Sequence, residues 1–245
     1  MGFVINYAHR GASGHCPENT LAAFAKAIDL GATGIETDVH MTKDGRLVLI
    51  HDASLKRTTG INAYVKDLTL DEVKAADAGS WFHKDYKGET VPTLEELLDF
   101  IRTKDVMLNL ELKSGIVQYP GLEEKTVETV RRYKMDDRVI ISSFNHYSLV
   151  KVKQIAPEMK TGILYSEGLY EPWVYAQRLG ASALHAAHYA VLPEFVQAAQ
   201  AVDIDYTPFT VNDAGVMARL LAAGVAGIIT DYPDRLAALL SLKGS

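Results

Sequence analysis

Short runs of aliphatic and β-branched residues alternate along the chain with stretches whose apolar positions recur every three or four residues. That pattern predicts parallel strands joined by crossover helices. Eight strands are expected, at residues 4–8, 34–41, 107–112, 139–142, 161–165, 183–185, 204–207 and 227–230. The helix starts between them carry capping or first-turn residues: Asn19-Thr20, Thr93 with Glu95-Glu96, Asn145, Pro172, Pro193, Asn212-Asp213 and Pro233-Asp234. Each offers a side-chain acceptor to an unpaired helix N–H or a proline φ already set for the first turn. Gly31, Gly180 and Gly224 stand where helices should end in a left-handed turn. Eight such units in 245 residues read as an α/β chain, a (β/α)8 TIM barrel in a single domain, 1–245.

One stretch breaks the rhythm. Lys43-Asp44-Gly45 predicts a hairpin turn leading into a strand at 47–50, and residues 53–90 then follow no simple βα pattern. This reads as a small capping insertion after the second βα region. An excursion of that length in a compact domain is usually functional, which favours a wall or lid over a decorative loop. Trp81-Phe82 within it either line a site or hold the insertion down.

Strand periodicity then exposes an anomaly. Alternate side chains share a face, so Glu36, Asp38 and His40 point one way and Ile35, Thr37 and Val39 the other. Likewise Asn109, Glu111 and Lys113 oppose Leu108, Leu110 and Leu112. If the bulky apolar set packs against the outer helices, the carboxylates face the barrel interior, where like charges repel and lose solvent. A divalent cation is the most economical offset, since carboxylate oxygens and waters suit a hard ion such as Mg²⁺ or Ca²⁺. The bland alternative turns the strands round and leaves these charges solvated. Against it stands their company: His9-Arg10 at the end of the first strand and His51-Asp52 after residues 47–50, at the strand ends where barrel chemistry collects.

Two imidazoles, an acidic cluster and two cations, Arg10 and Lys113, fit cleavage of a phosphodiester. Its phosphoryl charge must be neutralised, an attacking hydroxyl must lose a proton, and a poor alkoxide leaving group must gain one. Imidazole titrates near neutrality and suits both proton transfers. Cys16, between His15 and Pro17, has no feature that would activate it as a thiolate.

Composition narrows the partners. Lys+Arg 25 against Asp+Glu 31 gives a net charge of −6, with a pI near 5.7, so nucleic acid and anionic lipid surfaces are not expected partners. A lone cysteine and a strand-like start at Val4 favour a reducing, cytoplasmic setting. Met1-Gly2 hints at N-terminal acylation, but Asn6 stands where that signal wants Ser or Thr. No apolar run approaches the roughly 20 residues that span a bilayer, so no stable membrane association is expected. Oligomeric state is not encoded in any visible pattern.

The motifs His9-Arg10-Gly11-Ala12, Pro17-Glu18-Asn19-Thr20, Glu36-Thr37-Asp38-Val39, Asp44-Gly45 and His51-Asp52 together resemble the signature of the glycerophosphodiester phosphodiesterases. Arg57-Thr58-Thr59-Gly60, Asp67 to Leu70, Pro92 to Glu96, Glu111-Leu112-Lys113, Thr210-Val211-Asn212 and Gly227 to Asp231 continue the match over almost the whole chain. The resemblance implies one Mg²⁺ or Ca²⁺ held by Glu36, Asp38 and Glu111, with His9 and His51 as acid and base. It implies phosphate contacts from Arg10 and Lys113, and a supporting role for Glu18. The implied reaction converts a small glycerophosphodiester and water into glycerol 3-phosphate and an alcohol such as choline, ethanolamine or glycerol, serving lipid and glycerol metabolism. Members often carry Trp before Thr-Val-Asn where this chain has Phe209, which keeps an apolar substrate wall but loses the indole donor. His185 and His188 read as core histidines, with His185 at a strand end within approach of bound phosphate. Two other readings use the same residues: a lysophospholipase D or phospholipase C-like phosphodiesterase, and a divalent-metal barrel lyase or aldolase using Lys113 as a Schiff-base amine.

Overall fold

The computed structural model describes residues 4–243; the Met1-Gly2 acylation signal weighed above lies outside the described residues. Its strands are β1 (Ile5–His9), β2 (Gly34–Met41), β3 (Leu47–Leu49), β4 (Met107–Leu112), β5 (Val139–Ser143), β6 (Lys160–Tyr165), β7 (Ala183–Ala186), β8 (Asp205–Tyr206) and β9 (Gly227–Thr230). All but β3 run parallel, in the order β8-β7-β6-β5-β4-β2-β1-β9. These are the eight expected strands, displaced by a residue or two at their ends. The β8 edge closes on β9 through extended backbone: Ala226 N donates to Tyr206 O at 2.9 Å and Ile229 N to Pro208 O at 2.9 Å. Pro208 has no N–H to give a ladder, which cuts β8 short.

The helices are α1 (Leu21–Asp29), α2 (Lys56–Thr59), α3 (Leu70–Lys74), α4 (Leu94–Ile101), α5 (Leu122–Arg132), α6 (His146–Ile155), α7 (Pro172–Leu179), α8 (Pro193–Gln200), α9 (Ala214–Ala223) and α10 (Pro233–Lys243). Thr20 caps α1, Asp213 caps α9, and Thr93 with Glu96 forms a reciprocal capping box on α4. Asn145 precedes α6 but donates its side chain to Ser114 O at 3.2 Å instead of capping the helix.

The side-chain parity resolves as the sequence suggested. Ile35, Leu108, Leu110 and Leu112 are buried with Leu94, Leu97, Leu98 and Leu122 of the surrounding helices in one large apolar core. Removing Leu, Ile and Val of this kind from water, at roughly 25 cal/mol per Å² of apolar surface, is what closes the barrel. The opposite faces line the barrel interior, where polar groups are paired: Ser142 Oγ donates to Asn109 Oδ1 at 2.8 Å. Gly162 leaves the space that the His185 ring fills; a Cβ there would stand 2.7 Å from Cε1 and Nε2.

After β2 the chain turns at Gly45 (φ +77°) and β3 pairs antiparallel with β2. The chain then leaves the barrel rhythm through α2, a 3-10 turn at Val65–Asp67, α3 and a second 3-10 turn at Lys84–Tyr86. Val48, Ile50, Leu55, Val65, Val73, Ala78 and Val91 give this segment its own small core. Trp81 donates its indole N–H to Ala78 O at 2.9 Å, and Phe82 meets Trp81 and Tyr86 edge-on, both with centroids at 5.8 Å. Trp81 and Phe82 pack within the segment, the Tyr86 hydroxyl reaches across to donate to His15 O at 3.3 Å, and none of the three lines either cavity at the site described next. Among the described residues no helix is long and apolar enough to cross a membrane.

Candidate active site

Parallel pairing sets β2 beside β4 with Asp38 opposite Glu111 and Glu36 opposite Asn109. The interior-facing carboxylates of the two strands therefore stack at the carboxyl ends of adjacent strands. One ligand oxygen from each of Glu36, Asp38 and Glu111 lies within 4.8 Å of the others, and all three residues are nearly buried. Burial pushes the Glu36 carboxyl well above its ordinary range, and Asp38 and Glu111 push it further. Glu111 is raised to about 7, first by burial and then by Asp38. Asp38 goes the other way: burial opposes its charge, but Lys113, Arg10 and His51 outweigh burial and hold it ionised. Three buried oxygen donors, two of them driven to hold protons, form a set suited to a hard divalent cation.

Arg10 and Lys113 flank this cluster. Arg10 Nε lies 3.5 Å from Asp38 Oδ2, its NH1 donates to Glu18 Oε1 at 2.9 Å, and its backbone N–H donates to Glu36 Oε2 at 3.1 Å. Lys113 donates to Glu111 Oε1 at 2.8 Å and stands 3.5 Å from Asp38 Oδ1. Burial works against the Lys113 charge, yet Asp38 and Glu111 keep its affinity for a proton above the ordinary value. A Schiff-base amine needs the opposite, a lysine that loses its proton easily.

Arg10 and Asn19 both hold left-handed backbones, φ +55° and +54°, which side chains other than glycine adopt at a cost. Asn19 spends that strain on position: its Nδ2 donates to Asp38 Oδ2 at 2.9 Å while its Oδ1 accepts from Thr37 Oγ1 at 2.7 Å. Gly11 follows at φ +80° with Ala23 backbone and Cβ within 2.8 Å of where a side chain would begin, so the turn that presents Arg10 is packed tight against α1.

Each imidazole is held by a carboxylate at Nδ1. His9 Nδ1 lies 2.6 Å from Asp231 Oδ1, and its Nε2 is 3.9 Å from Glu36 Oε2. His51 Nδ1 lies 2.7 Å from Asp52 Oδ1. A carboxylate only accepts, so both rings carry the proton on Nδ1 when neutral and turn Nε2 outward. Burial lowers the His51 pKa below its ordinary value. Asp231 and Asp52 are both held to about 2 in spite of burial, by hydrogen bonds from His9 and from Arg57 with His51, respectively.

A cavity of 200 Å³ is lined by His9, Arg10, Glu36, His51, Glu111 and Phe209, with Asn109 among its other walls. A second, of 370 Å³, shares His51, Glu111 and Phe144 with it and continues past Lys113 and Ile116. Phe144 meets Phe209 edge-on at 5.8 Å. His185 lies beneath, its Nδ1 accepting from Asn109 Nδ2 at 3.4 Å and its pKa lowered to about 4 by burial. It is not a wall of either cavity. His188 follows β7 and is not at the site either.

The structure thus brings together His9, Arg10, Glu18, Glu36, Asp38, His51, Glu111, Lys113 and Phe209. Periodicity gave no role to Asp231, Asp52, Asn19 or Arg57. Asp231 had a usable signal, since it directly follows β9 at the same barrel end as His9. Arg57 stood in a motif of the resemblance, Arg57-Thr58-Thr59-Gly60, but its place in the irregular segment gave no sign of what it would touch.

The model of the Glycerophosphoryl diester phosphodiesterase family matches residues 9–235. A glycerophosphodiester phosphodiesterase of Caldanaerobacter subterraneus subsp. tengcongensis is 49% identical over 237 residues, covering 97% of this chain and 98% of that one. One of Bacillus altitudinis is 41% identical, covering 94% and 95%. Among solved structures, an Oleispira antarctica phosphodiesterase in complex with the product sn-glycerol-3-phosphate superposes with a TM-score of 0.88 at 33% identity, covering 96% of both chains. A glycerophosphodiester phosphodiesterase of Agrobacterium tumefaciens gives 0.85 at 29% identity, covering 96% and 100%.

Proposed function

The chain belongs to the glycerophosphoryl diester phosphodiesterase family, and from that premise we propose that it hydrolyses small glycerophosphodiesters to glycerol 3-phosphate and an alcohol at the cluster of Glu36, Asp38 and Glu111. The observation that carries this is the meeting of three buried carboxylates within 4.8 Å, with two imidazoles held at Nδ1 beside the same cavity.

Glu36, Asp38 and Glu111 would hold one divalent ion, Mg²⁺ or Ca²⁺, which when bound supplies Lewis-acid stabilisation of charge on the phosphoryl oxygens. Arg10 lines the cavity with its Nε 3.5 Å from Asp38 Oδ2, so its guanidinium charge stands beside a phosphoryl group bound there. Lys113 adds a second positive charge beside the same cluster. His9 and His51 divide the proton work: one Nε2 takes the proton of the attacking hydroxyl, the other returns a proton to the departing alkoxide. Asp231 and Asp52 keep each ring in the tautomer that leaves Nε2 free and stabilise the imidazolium when it forms. Phe209 and Phe144 give the cavity an apolar wall against the glycerol or alcohol carbons. Of residues 53–90, Ala53 is among the walls of the second cavity, next to His51 and Asp52. The single cysteine, Cys16, is buried with no cysteine to pair with, which suits a reducing cytoplasm.

The test is a panel of glycerophosphocholine, glycerophosphoethanolamine and glycerophosphoglycerol, assayed with Mg²⁺, Ca²⁺, Mn²⁺ or chelator, measuring glycerol 3-phosphate and the freed alcohol. Activity only with a divalent ion, releasing glycerol 3-phosphate, is expected. Release of a phosphorylated alcohol, or full activity in chelator, would overturn the proposal.

A further inference from the structure

We infer that Arg57, from the segment outside the barrel rhythm, is a positioning residue that ties the proton-transfer side of the site to its phosphate-binding side; this rests on the function proposed above. Its guanidinium makes two forked pairs. Nε and NH2 donate to Asp52 Oδ2 and Oδ1 at 2.8 and 3.2 Å, and NH1 and NH2 donate to Glu18 Oε2 and Oε1 at 2.8 and 2.7 Å. Beyond these two carboxylates stand the working groups: Asp52 Oδ1 holds His51 Nδ1 at 2.7 Å, and Glu18 Oε1 holds Arg10 NH1 at 2.9 Å. A continuous chain therefore runs His51, Asp52, Arg57, Glu18, Arg10.

Four of the five guanidinium N–H groups are committed to these carboxylates, with one N–H of NH1 left over, so the guanidinium is spoken for chiefly by Asp52 and Glu18. Its chemistry is that of a planar fork, which fixes the angle between two carboxylates as well as their charge. Lysine has one nitrogen and cannot hold both in that way. Without the guanidinium, Asp52 and Glu18 lose their shared cation and keep only His51 and Arg10, each free to rotate with its partner. Arg57 sits on α2, a helix of four residues, and its side chain is 41% exposed. The barrel core does not depend on it, so its replacement should leave the fold intact.

The experiment compares kcat and KM for glycerophosphocholine in the parent, Arg57→Ala, Arg57→Lys, Asp52→Asn and the double variant Asp52→Asn/Arg57→Ala, with melting temperature as a check on folding. Removing a supporting group of this kind costs about ten- to a hundredfold. Arg57→Ala should show that loss in kcat/KM, divided between a lower kcat through His51 and a higher KM through Arg10. Guanidinium ion added to Arg57→Ala should restore several-fold activity, and Arg57→Lys should recover only part. In the Asp52→Asn background the Arg57 change should cost kcat little further, because its path to His51 is already broken. Arg57→Ala with kcat and KM both within threefold of the parent would overturn the inference. So would full activity in Arg57→Lys, or kcat losses that multiply independently in the double variant. A parent protein inactive on every glycerophosphodiester would instead strike at the proposed function, which separates the two failures.

Discussion

Replacing Asp231 by Asn changes one atom and should reverse a tautomer. Asp231 Oδ1 accepts from His9 Nδ1 at 2.6 Å and Ser13 Oγ at 3.0 Å, while Oδ2 accepts from Asn212 Nδ2 at 2.6 Å. Asparagine brings an NH2 that must face one side or the other. Toward Asn212 it would set donor against donor at hydrogen-bond distance. Toward His9 it finds a ring nitrogen that accepts once its proton leaves, and a serine hydroxyl that rotates to accept. The second arrangement prevails, so the His9 proton moves from Nδ1 to Nε2, the nitrogen 3.9 Å from Glu36. Nε2 then cannot accept a proton, and any imidazolium at His9 loses its carboxylate. A general acid or base is worth about 10²–10⁴-fold, so kcat should fall by that factor. KM should stay within a few-fold, since neither Arg10 nor Lys113 touches Asp231. Steady-state release of glycerol 3-phosphate measures both constants, and imidazole nitrogen chemical shifts read the tautomer directly. A variant with kcat within threefold of the parent, or with Nδ1 still protonated, would refute the reasoning.

Three further outcomes follow from the same geometry. Glu36 is raised well above its ordinary range and Glu111 to about 7, so without a cation the folded cluster holds extra protons and its stability contribution falls as pH rises from the unfolded carboxylate range through about 7. A bound divalent ion displaces those protons, so the melting-temperature gain from Ca²⁺ or Mg²⁺ over chelator should grow between pH 5 and pH 8; a gain that shrinks over that interval would contradict the assignment. Asp231 is depressed to about 2, so it stabilises the fold at higher pH and that contribution is lost as pH falls toward 2; Asp231→Asn should accordingly lose less stability than the parent between pH 4 and pH 2 in acid titrations followed by circular dichroism. Leu110, fully buried between β4 and the outer helices, should cost about 2–5 kcal/mol on replacement by Ala, measured by urea unfolding.

How much of this was legible before any coordinates depended on the kind of residue. The eight strands and the orientation of β2 and β4 follow from period-two patterning, because Ile35 and the leucines of β4 must be covered and Glu36, Asp38 and Glu111 are left with the interior. Pairings across long separations were not legible. Nothing in periodicity joins Asp231 to His9, 222 positions away, or Arg57 to Glu18, 39 positions away. Such contacts depend on barrel closure and on an irregular segment, where only turn chemistry and a small apolar cluster guide the chain. Phe209 shows the middle case: the resemblance implied a substrate wall for it, and its place in a cavity wall, edge-on to Phe144, is visible only in three dimensions.

The carboxylates around the cluster of Glu36, Asp38 and Glu111 explain why the site tolerates so much buried charge. Asp231, Asp52 and Glu18 each sit beside a group that takes up or carries positive charge, so they secure His9, His51 and Arg10 without adding to the repulsion among Glu36, Asp38 and Glu111. Within the cluster itself three ionised carboxylates exceed Arg10 and Lys113 by one negative charge, with the imidazole of His9 3.9 Å from Glu36, and burial first and their mutual repulsion second hold Glu36 and Glu111 above their ordinary range. A phosphodiester monoanion would be repelled by such a site. One divalent cation would reverse the sign and leave a single positive charge, the complement of the diester. On the proposed function, metal and substrate would therefore be linked through charge before any step of the chemistry.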